Sequence, residues 1–499
     1  MSLLGIDVGT TGCKLALFSL KGEMLASSYS EYDFQSPQPG WAQLDSAAIW
    51  EAVKAAIRSV SATARTAEIS AVAVSSLAEA SVPVSEDRQI LGPSLLNFDT
   101  RGEEFLTELG ALLPNERLYP INGNTFGNQY SLTKLKWIRA HQPELYDRTY
   151  KFLSWSDFIA FMLGAEARVD YSLANRTLLF DLHTGDWSNS LLEVAGIDRS
   201  KLPVPVPSGT VIGTVAAHIA ADLGLPPGVR IVSGTHDQCA NAVGCGGIDP
   251  GSTTYGMGTY HCITPVFANL PDPGVMIARG LNTEHHAIPG RYVCFIYNQG
   301  GALVKWYRDT FAPIEHHQAE AEGRSIYPDL LAEMPAEPSS VMVLPHFAPT
   351  GPPRFIMDSA GVIAGLHLAT KRGEVLKGII EGVAFYLKEL VDSLPATGIK
   401  IDNFRAVGGG SRSDAWVQTC ADIFGLPFIR PVITEAGALG AAIIAGVGSG
   451  VFENHSDGVA AMVKLERTFE PNLVRHARYQ ARYQYYQRLG PLMADYLRE

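Results

Sequence analysis

Short runs of consecutive apolar residues alternate along this chain with longer stretches in which apolar positions recur every three or four residues, the pattern of strands interleaved with helices. Residues 3–6 form such a run and predict a buried strand. The run ends at Asp7, passes through Gly9-Thr10-Thr11-Gly12 and resumes over 15–20, which predicts a β-hairpin with a glycine-rich tip. The spacing predicts a helix over 47–59, strands over 69–74 and 81–84, a polar helical stretch opening at Asp99-Thr100-Arg101, and helices over 132–141 and 156–163. An apolar strand over 229–233 runs into Gly234-Thr235-His236-Asp237, and the small-residue segment 239–247 starts as a helix.

The opening pattern then partly recurs. Residues 251–259, Gly-Ser-Thr-Thr-Tyr-Gly-Met-Gly-Thr, are a second Gly/Thr-rich hairpin tip after a strand-like start. Two such loops, one per half, predict two related α/β domains facing each other across a cleft, with a boundary near residue 244: 1–243 and 244–499. The second half continues with a helix over 372–394, a strand over 403–407 ending in Gly408-Gly409-Gly410-Ser411, a small-residue helix over 436–447 and a terminal helix over 470–499. Length alone suggests about three average domains, but two large α/β domains fit 499 residues equally well.

Several residues could carry chemistry. Gly9 and Gly12 let the chain turn tightly and leave N–H groups uncovered for an anion. Thr10 and Thr11 add hydroxyls, and Lys14 adds a positive charge. Asp7 suits such a place only with a cation between it and a phosphate, which points to Mg²⁺; an ordinary surface hairpin could carry the same glycines. Asp237 follows a buried strand, where an acid can accept a proton from a substrate hydroxyl, or can simply cap the helix after it. His236 beside it can orient that acid or pack as a neutral ring. The triple glycine 408–410, with Trp416 and Gln418 beyond it, suits close approach to a flat ring or phosphate, or merely a tight turn. Glu79, Asn97, Asp99 and Arg101 form a polar group in the first half. A carboxylate such as Glu79, between two apolar strands, is costly unless partnered; it can hydrogen-bond a polyol or pair with Arg101. Glu284-His285-His286 lacks metal-ligand spacing and is expected in a surface loop.

Composition narrows the function. The chain is 46% hydrophobic and 18% charged, enough to bury sizeable cores. A net charge of −12 without a long basic run argues against nucleic acid or an anionic membrane as partner. No apolar stretch is long enough to predict a membrane span, and the first residues do not read as a signal peptide. Six cysteines without a Cys-x-x-Cys pair are expected reduced, in a cytoplasmic protein.

These residues, taken in order, resemble the FGGY carbohydrate kinases over residues 3–488. Residues 5–14 are similar to that family's first phosphate loop, Asp99-Thr100-Arg101 to its Asp-x-Arg, 132–138 to its first signature helix and 234–238 to the segment bearing its catalytic base. Gly256-Met257-Gly258-Thr259 resembles the second phosphate loop; Gly365-Leu366, Glu374 and Ile380-Glu381-Gly382 resemble the second signature; Gly408-Gly409-Gly410-Ser411 resembles the adenosine motif. The resemblance implies two actin-like (ribonuclease H-like) domains, with ATP and a sugar or polyol in the cleft and transfer of the γ-phosphoryl group of MgATP. It implies Asp237 as base. Thr10, Thr11, Lys14, Gly258, Thr259, Gly301, Gly409, Gly410 and Ser411 would be at ATP, and Asp7 would act on Mg²⁺ through water. Glu79, Asn97, Asp99, Arg101, His236 and Asp237 would be at the sugar. Members are often homodimers. The departures lie at the sugar: Ala78-Glu79 stands where xylulokinases usually have Met-His, and Asn97 where they usually have Trp. A neutral ketopentose such as xylulose is the leading expectation. A hexulose, a tetrulose or tetritol, or glycerol is the alternative, and a catalytically silent sugar- or nucleotide-binding regulator is the rival from another class.

Overall fold

A computed structural model describes residues 1–63, 69–356 and 359–493. Its first half is built on a six-stranded sheet in the order Val211–Thr214, Arg230–His236, Ile69–Ser76, Ser2–Val8, Gly12–Ser19, Met24–Glu31. Ser2–Val8 and Gly12–Ser19 are the expected antiparallel hairpin, with Asp7 opposite Lys14. Ile69–Ser76 and then Arg230–His236 add in parallel. The central strand is a continuous apolar run because both its faces are covered. Leu4, Ile6 and Val8 pack with the helices Ser46–Thr63 and Trp155–Leu163. Leu3 packs on the other face, with Val243 of helix Asp237–Gly244 and Ala438 and Ala442 of helix Ala436–Gly448.

The second half repeats the plan. In its eight-stranded sheet Gly251–Met257 pairs antiparallel with Tyr260–Phe267, and Ile401–Val407 and Phe428–Pro431 add in parallel. Tyr255, Phe404 and Phe428 stack at its core, under the largely buried helix Arg372–Ser393. The halves make a mixed α/β fold of two actin-like domains. The expected terminal helix is Leu473–Met493; the part of that expectation beyond it lies outside the described residues.

The halves join through their corresponding helices. A Cβ on Gly440 would lie 1.9 Å from the Ala240 carbonyl oxygen, and one on Gly244 would lie 1.9 Å from that of Ala436. Helices Asp237–Gly244 and Ala436–Gly448 therefore cross backbone against backbone, which the small residues read along both segments make possible. All six cysteines are unpaired. Among the described residues no helix is long and apolar enough to cross a membrane.

Candidate active site

The sheets aim both hairpin tips at the space between the halves. In the first tip Gly9 N–H donates to the Gly12 carbonyl at 2.9 Å, leaving Thr10 half-buried and Thr11 exposed. In the second, Gly301 N–H donates to the Gly258 carbonyl at 3.0 Å, so helix Gly301–Phe311 starts against the loop. A Cβ on Gly301 would lie 2.5 Å from that carbonyl oxygen. An open cavity of 1210 Å³ lies here, lined among others by Gly258, Thr259, Gly301, Gly409, Gly410 and Trp416. Trp416 is backed by the buried His261 ring at 5.4 Å, and burial lowers the pKa of His261 to about 3, so it stays neutral.

Two residues expected at ATP already have partners within the protein. Ser411 is fully buried, and its hydroxyl donates to the Gly408 carbonyl at 2.7 Å within its own turn. Lys14 pairs at 3.1 Å with Glu435, which Arg412 also reaches at 3.2 Å. Lys14 thus ties the first hairpin to the entrance of helix Ala436–Gly448.

A second cavity of 210 Å³ is lined by Asp7, Lys14, Gln238, Gly256, Gly258 and Glu435, among others. The Ser75 hydroxyl donates to Asp7 at 2.6 Å. Gly437 makes room for the carboxyl group, since a Cβ there would lie 2.4 Å from an Asp7 oxygen. Burial, then the charge of Asp237, pushes the Asp7 pKa up to about 7. A carboxyl group facing this space is a donor suited to a hard divalent cation that keeps some of its waters. Asp7 would hold Mg²⁺ there.

Asp237 is the first residue of helix Asp237–Gly244. The N-cap position belongs to His236 and no side chain caps the helix, so the capping alternative falls. The Asp237 carboxylate remains 27% exposed and sits where the helix dipole favours negative charge. His236 Nε2 lies 3.2 Å from one of its oxygens, and Gln238 donates to the same oxygen at 3.1 Å. The other His236 nitrogen, Nδ1, lies 2.9 Å from Glu284, which is completely buried. Burial alone would lower the His236 pKa, but the carboxylates of Glu284 and Asp237 outweigh it and raise it to about 9. His236 is therefore an imidazolium at neutral pH, contrary to the neutral ring that the sequence left open.

The network continues. Glu284 lies 3.7 Å from Arg176 Nε, which donates to Glu79 at 2.7 Å; a second guanidinium nitrogen of Arg176 makes a closer contact with the same carboxylate. Arg176 also donates to Asn124 at 3.0 Å and lies over the Tyr130 ring at 4.8 Å. The cation needed by Glu79 is thus Arg176 and not Arg101. Glu79 adopts φ 66°, a left-handed conformation rare for a residue with a Cβ, and Ser131 holds its carbonyl at 2.6 Å. The surface-loop expectation for 284–286 is also overturned. Glu284–His285 is a strand, anchored on the first half by Thr283 N–H to the Gly123 carbonyl at 2.6 Å. His236, Cys239 and Glu284 lie close enough to suggest a metal site. However, Glu284 and His236 are bonded to each other, and burial holds the Cys239 thiol well above its usual range, against the thiolate a metal requires.

Asp99 and Arg101, expected at the sugar, are bonded to each other. Asp99 accepts from the Ala42 N–H at 2.6 Å and from the Arg101 N–H, Nε and Nη2 at 2.7, 2.9 and 2.6 Å. Arg101 lies over Trp41 at 4.2 Å, and Lys134 donates to the carbonyls of both residues. The pair is buried under the turn, and Arg101 Nη2 also donates to Gln43 at 3.0 Å. Asn97, two residues earlier, is exposed. Arg176 and Glu284 were missed as site residues. The one signal for Arg176 was that a carboxylate like Glu79 needs a cation.

Two family models match this chain: the N-terminal domain of the FGGY family of carbohydrate kinases over residues 2–244, and the C-terminal domain of the same family over 277–449. The chain belongs to the FGGY family of carbohydrate kinases, and it is a phosphotransferase acting on an alcohol group. It is 27% identical to the xylulose kinase of Escherichia coli, over 98% of this chain and 100% of that one. It is 29% identical to the autoinducer-2 kinase of Yersinia enterocolitica, over 96% of this chain and 92% of that one. The crystal structure of xylulose kinase from Rhodospirillum rubrum superposes with a TM-score of 0.87 at 27% identity, covering all of both chains.

Proposed function

We propose that this carbohydrate kinase transfers the γ-phosphoryl group of MgATP to a hydroxyl of a neutral ketose or polyol, with a ketopentose such as xylulose as the leading substrate and Asp237 as the base. The observation that carries the reading is the Asp237 carboxylate, partly exposed beside the cavity that Asp7 and the Gly258 loop share. The substrate oxygen bonds to the γ-phosphorus as the bond to the β,γ-bridging oxygen breaks. ADP leaves, and the hydroxyl proton ends on Asp237. Such a loose transition state demands positioning and charge neutralisation more than covalent help. In this reading Gly258, Thr259, Thr10 and Thr11 hold the phosphates, and Gly301, Gly409, Gly410 and Trp416, which line one cavity with Gly258 and Thr259, hold the rest of the nucleotide. Mg²⁺ held by Asp7 would neutralise phosphate charge.

Charge supports a neutral substrate. Glu79, Glu284 and Asp237 are three carboxylates against two cations, Arg176 and His236, and all five are in one connected group. An aldonate would add a fourth anion without a free cation to meet it, because Arg176 is already bonded to Glu79. The test is ADP release from MgATP over a panel of tetruloses, pentuloses, hexuloses, polyols and aldonates, with autoinducer-2 included because of the Yersinia relative's name. Release dependent on a ketopentose supports the reading; release with an aldonate alone would refute it.

A further inference from the structure

We propose that His236, clamped by Glu284, is a positioning residue for the phosphoryl transfer, so that the base is assembled from both halves of the molecule: Asp237 and His236 from the first, Glu284 from the second. The inference rests on Asp237 being the base. Its geometry is a line of contacts. Glu284 holds one nitrogen of the ring at 2.9 Å, which fixes the ring plane and directs the other nitrogen to Asp237 at 3.2 Å. The Phe295 ring packs perpendicular to the imidazole with ring centres 5.3 Å apart, which restricts its turning. Ser172 accepts the His236 backbone N–H at 2.9 Å and fixes the main chain there.

The charged and titratable groups facing His236 are Glu284 on strand Glu284–His285, Asp237 and the Cys239 thiol on helix Asp237–Gly244, and Arg176 just beyond helix Tyr171–Asn175. The two carboxylates favour the imidazolium, Arg176 and burial oppose it, and the balance lies with the charged ring. A donor at this point holds the Asp237 carboxylate in one orientation. A loose transition state transfers the proton late and gains more from orientation than from basicity. Arg176 binds both Glu284 and Glu79, so the same line of charges runs on to the sugar-side carboxylate.

The proposal is tested by kcat and KM against pH for the wild type, His236→Gln, Glu284→Gln and Asp237→Asn, with MgATP binding and thermal unfolding measured on each. The wild-type kcat should fall at alkaline pH, near pH 9. In His236→Gln kcat should drop by roughly tenfold to a hundredfold, the ATP KM should stay put and the alkaline limb should disappear. In Glu284→Gln the limb should move to lower pH, because burial then acts on the ring unopposed by its strongest partner. A merely structural His236 would lower activity at every pH and leave the limb in place, and that result overturns the proposal. Full activity in His236→Gln with an inactive Asp237→Asn overturns it too while sparing the base. Full activity in Asp237→Asn removes both. Should a variant fail to fold, ring NMR of the wild-type histidines still decides: an imidazolium in contact with a carboxylate at pH 8 is expected, and a neutral His236 contradicts the proposal.

Discussion

On the side of the cleft formed by the second half, the surface offered to a ligand joins glycine-rich backbone (the Gly258 loop, the start of helix Gly301–Phe311 and the turn at Gly409 and Gly410) to an apolar wall that includes Trp306, Tyr327, Leu331 and Trp416. On the side formed by the first half it is a line of ionised side chains, Glu79, Arg176, Glu284, His236 and Asp237. The two surfaces suit different tasks. Backbone N–H groups hold phosphates without reading what lies beyond them. Side chains linked by charge fix one hydroxyl and one base, and any change in one member is felt by the others. ATP handling should therefore be separable by mutation from sugar choice and from chemistry.

The comparison breaks first at Arg176. Its replacement by Met leaves the buried carboxylate of Glu79 unpaired and Glu284 with His236 as its remaining cation, which should cost roughly 3–5 kcal/mol of stability and most of the activity. Denaturant unfolding measures this, and a loss no larger than that of a surface substitution would dissolve the network as described. On the other side, Gly301→Ala pushes a Cβ against the Gly258 carbonyl. It should raise the ATP KM by roughly tenfold, about 1.4 kcal/mol, with the sugar KM unchanged; an equal rise in both would mean that the two surfaces are not separable. Glu79→Gln keeps the shape and removes one charge. It should alter the ranking of substrates across the panel before it alters ATP affinity, and an unchanged ranking would make Glu79 structural.

The smallest effect lies in the pH dependence of stability. His236 keeps its proton to about pH 9 in the folded chain, against about 6.5 for an ordinary histidine. The folded state therefore binds more proton between those values. The stability gained is whole below about pH 6.5 and is lost as pH rises through about 9. The thermal midpoint of the wild type should decline over this window more steeply than that of His236→Gln; parallel curves would speak against the charged ring.

The same contrast explains what could be read from the chain alone. Hairpins, parallel strands and glycine loops are local, and each announces itself within a dozen residues, as 3–20 and 251–259 do. Asp237 was visible because it ends a buried strand. The charged line was not, because Glu79 and Arg176 are 97 positions apart and His236 and Glu284 are 48 apart. Which cation meets which carboxylate is set by the tertiary fold. Arg101 was the natural partner for Glu79 in sequence, yet Asp99, two residues away, holds it by short bonds. Glu284 was misplaced for a related reason: two adjacent histidines in a polar context look solvated, whereas a short strand carries Glu284 and His285 onto the opposite half.

The measurement that bears most directly on the account is turnover of Asp237→Asn on the best substrate of the panel, with MgATP affinity determined by calorimetry on the same preparation. The account predicts a kcat lower by roughly 10²- to 10⁴-fold with MgATP binding intact. Undiminished turnover in that variant would contradict it.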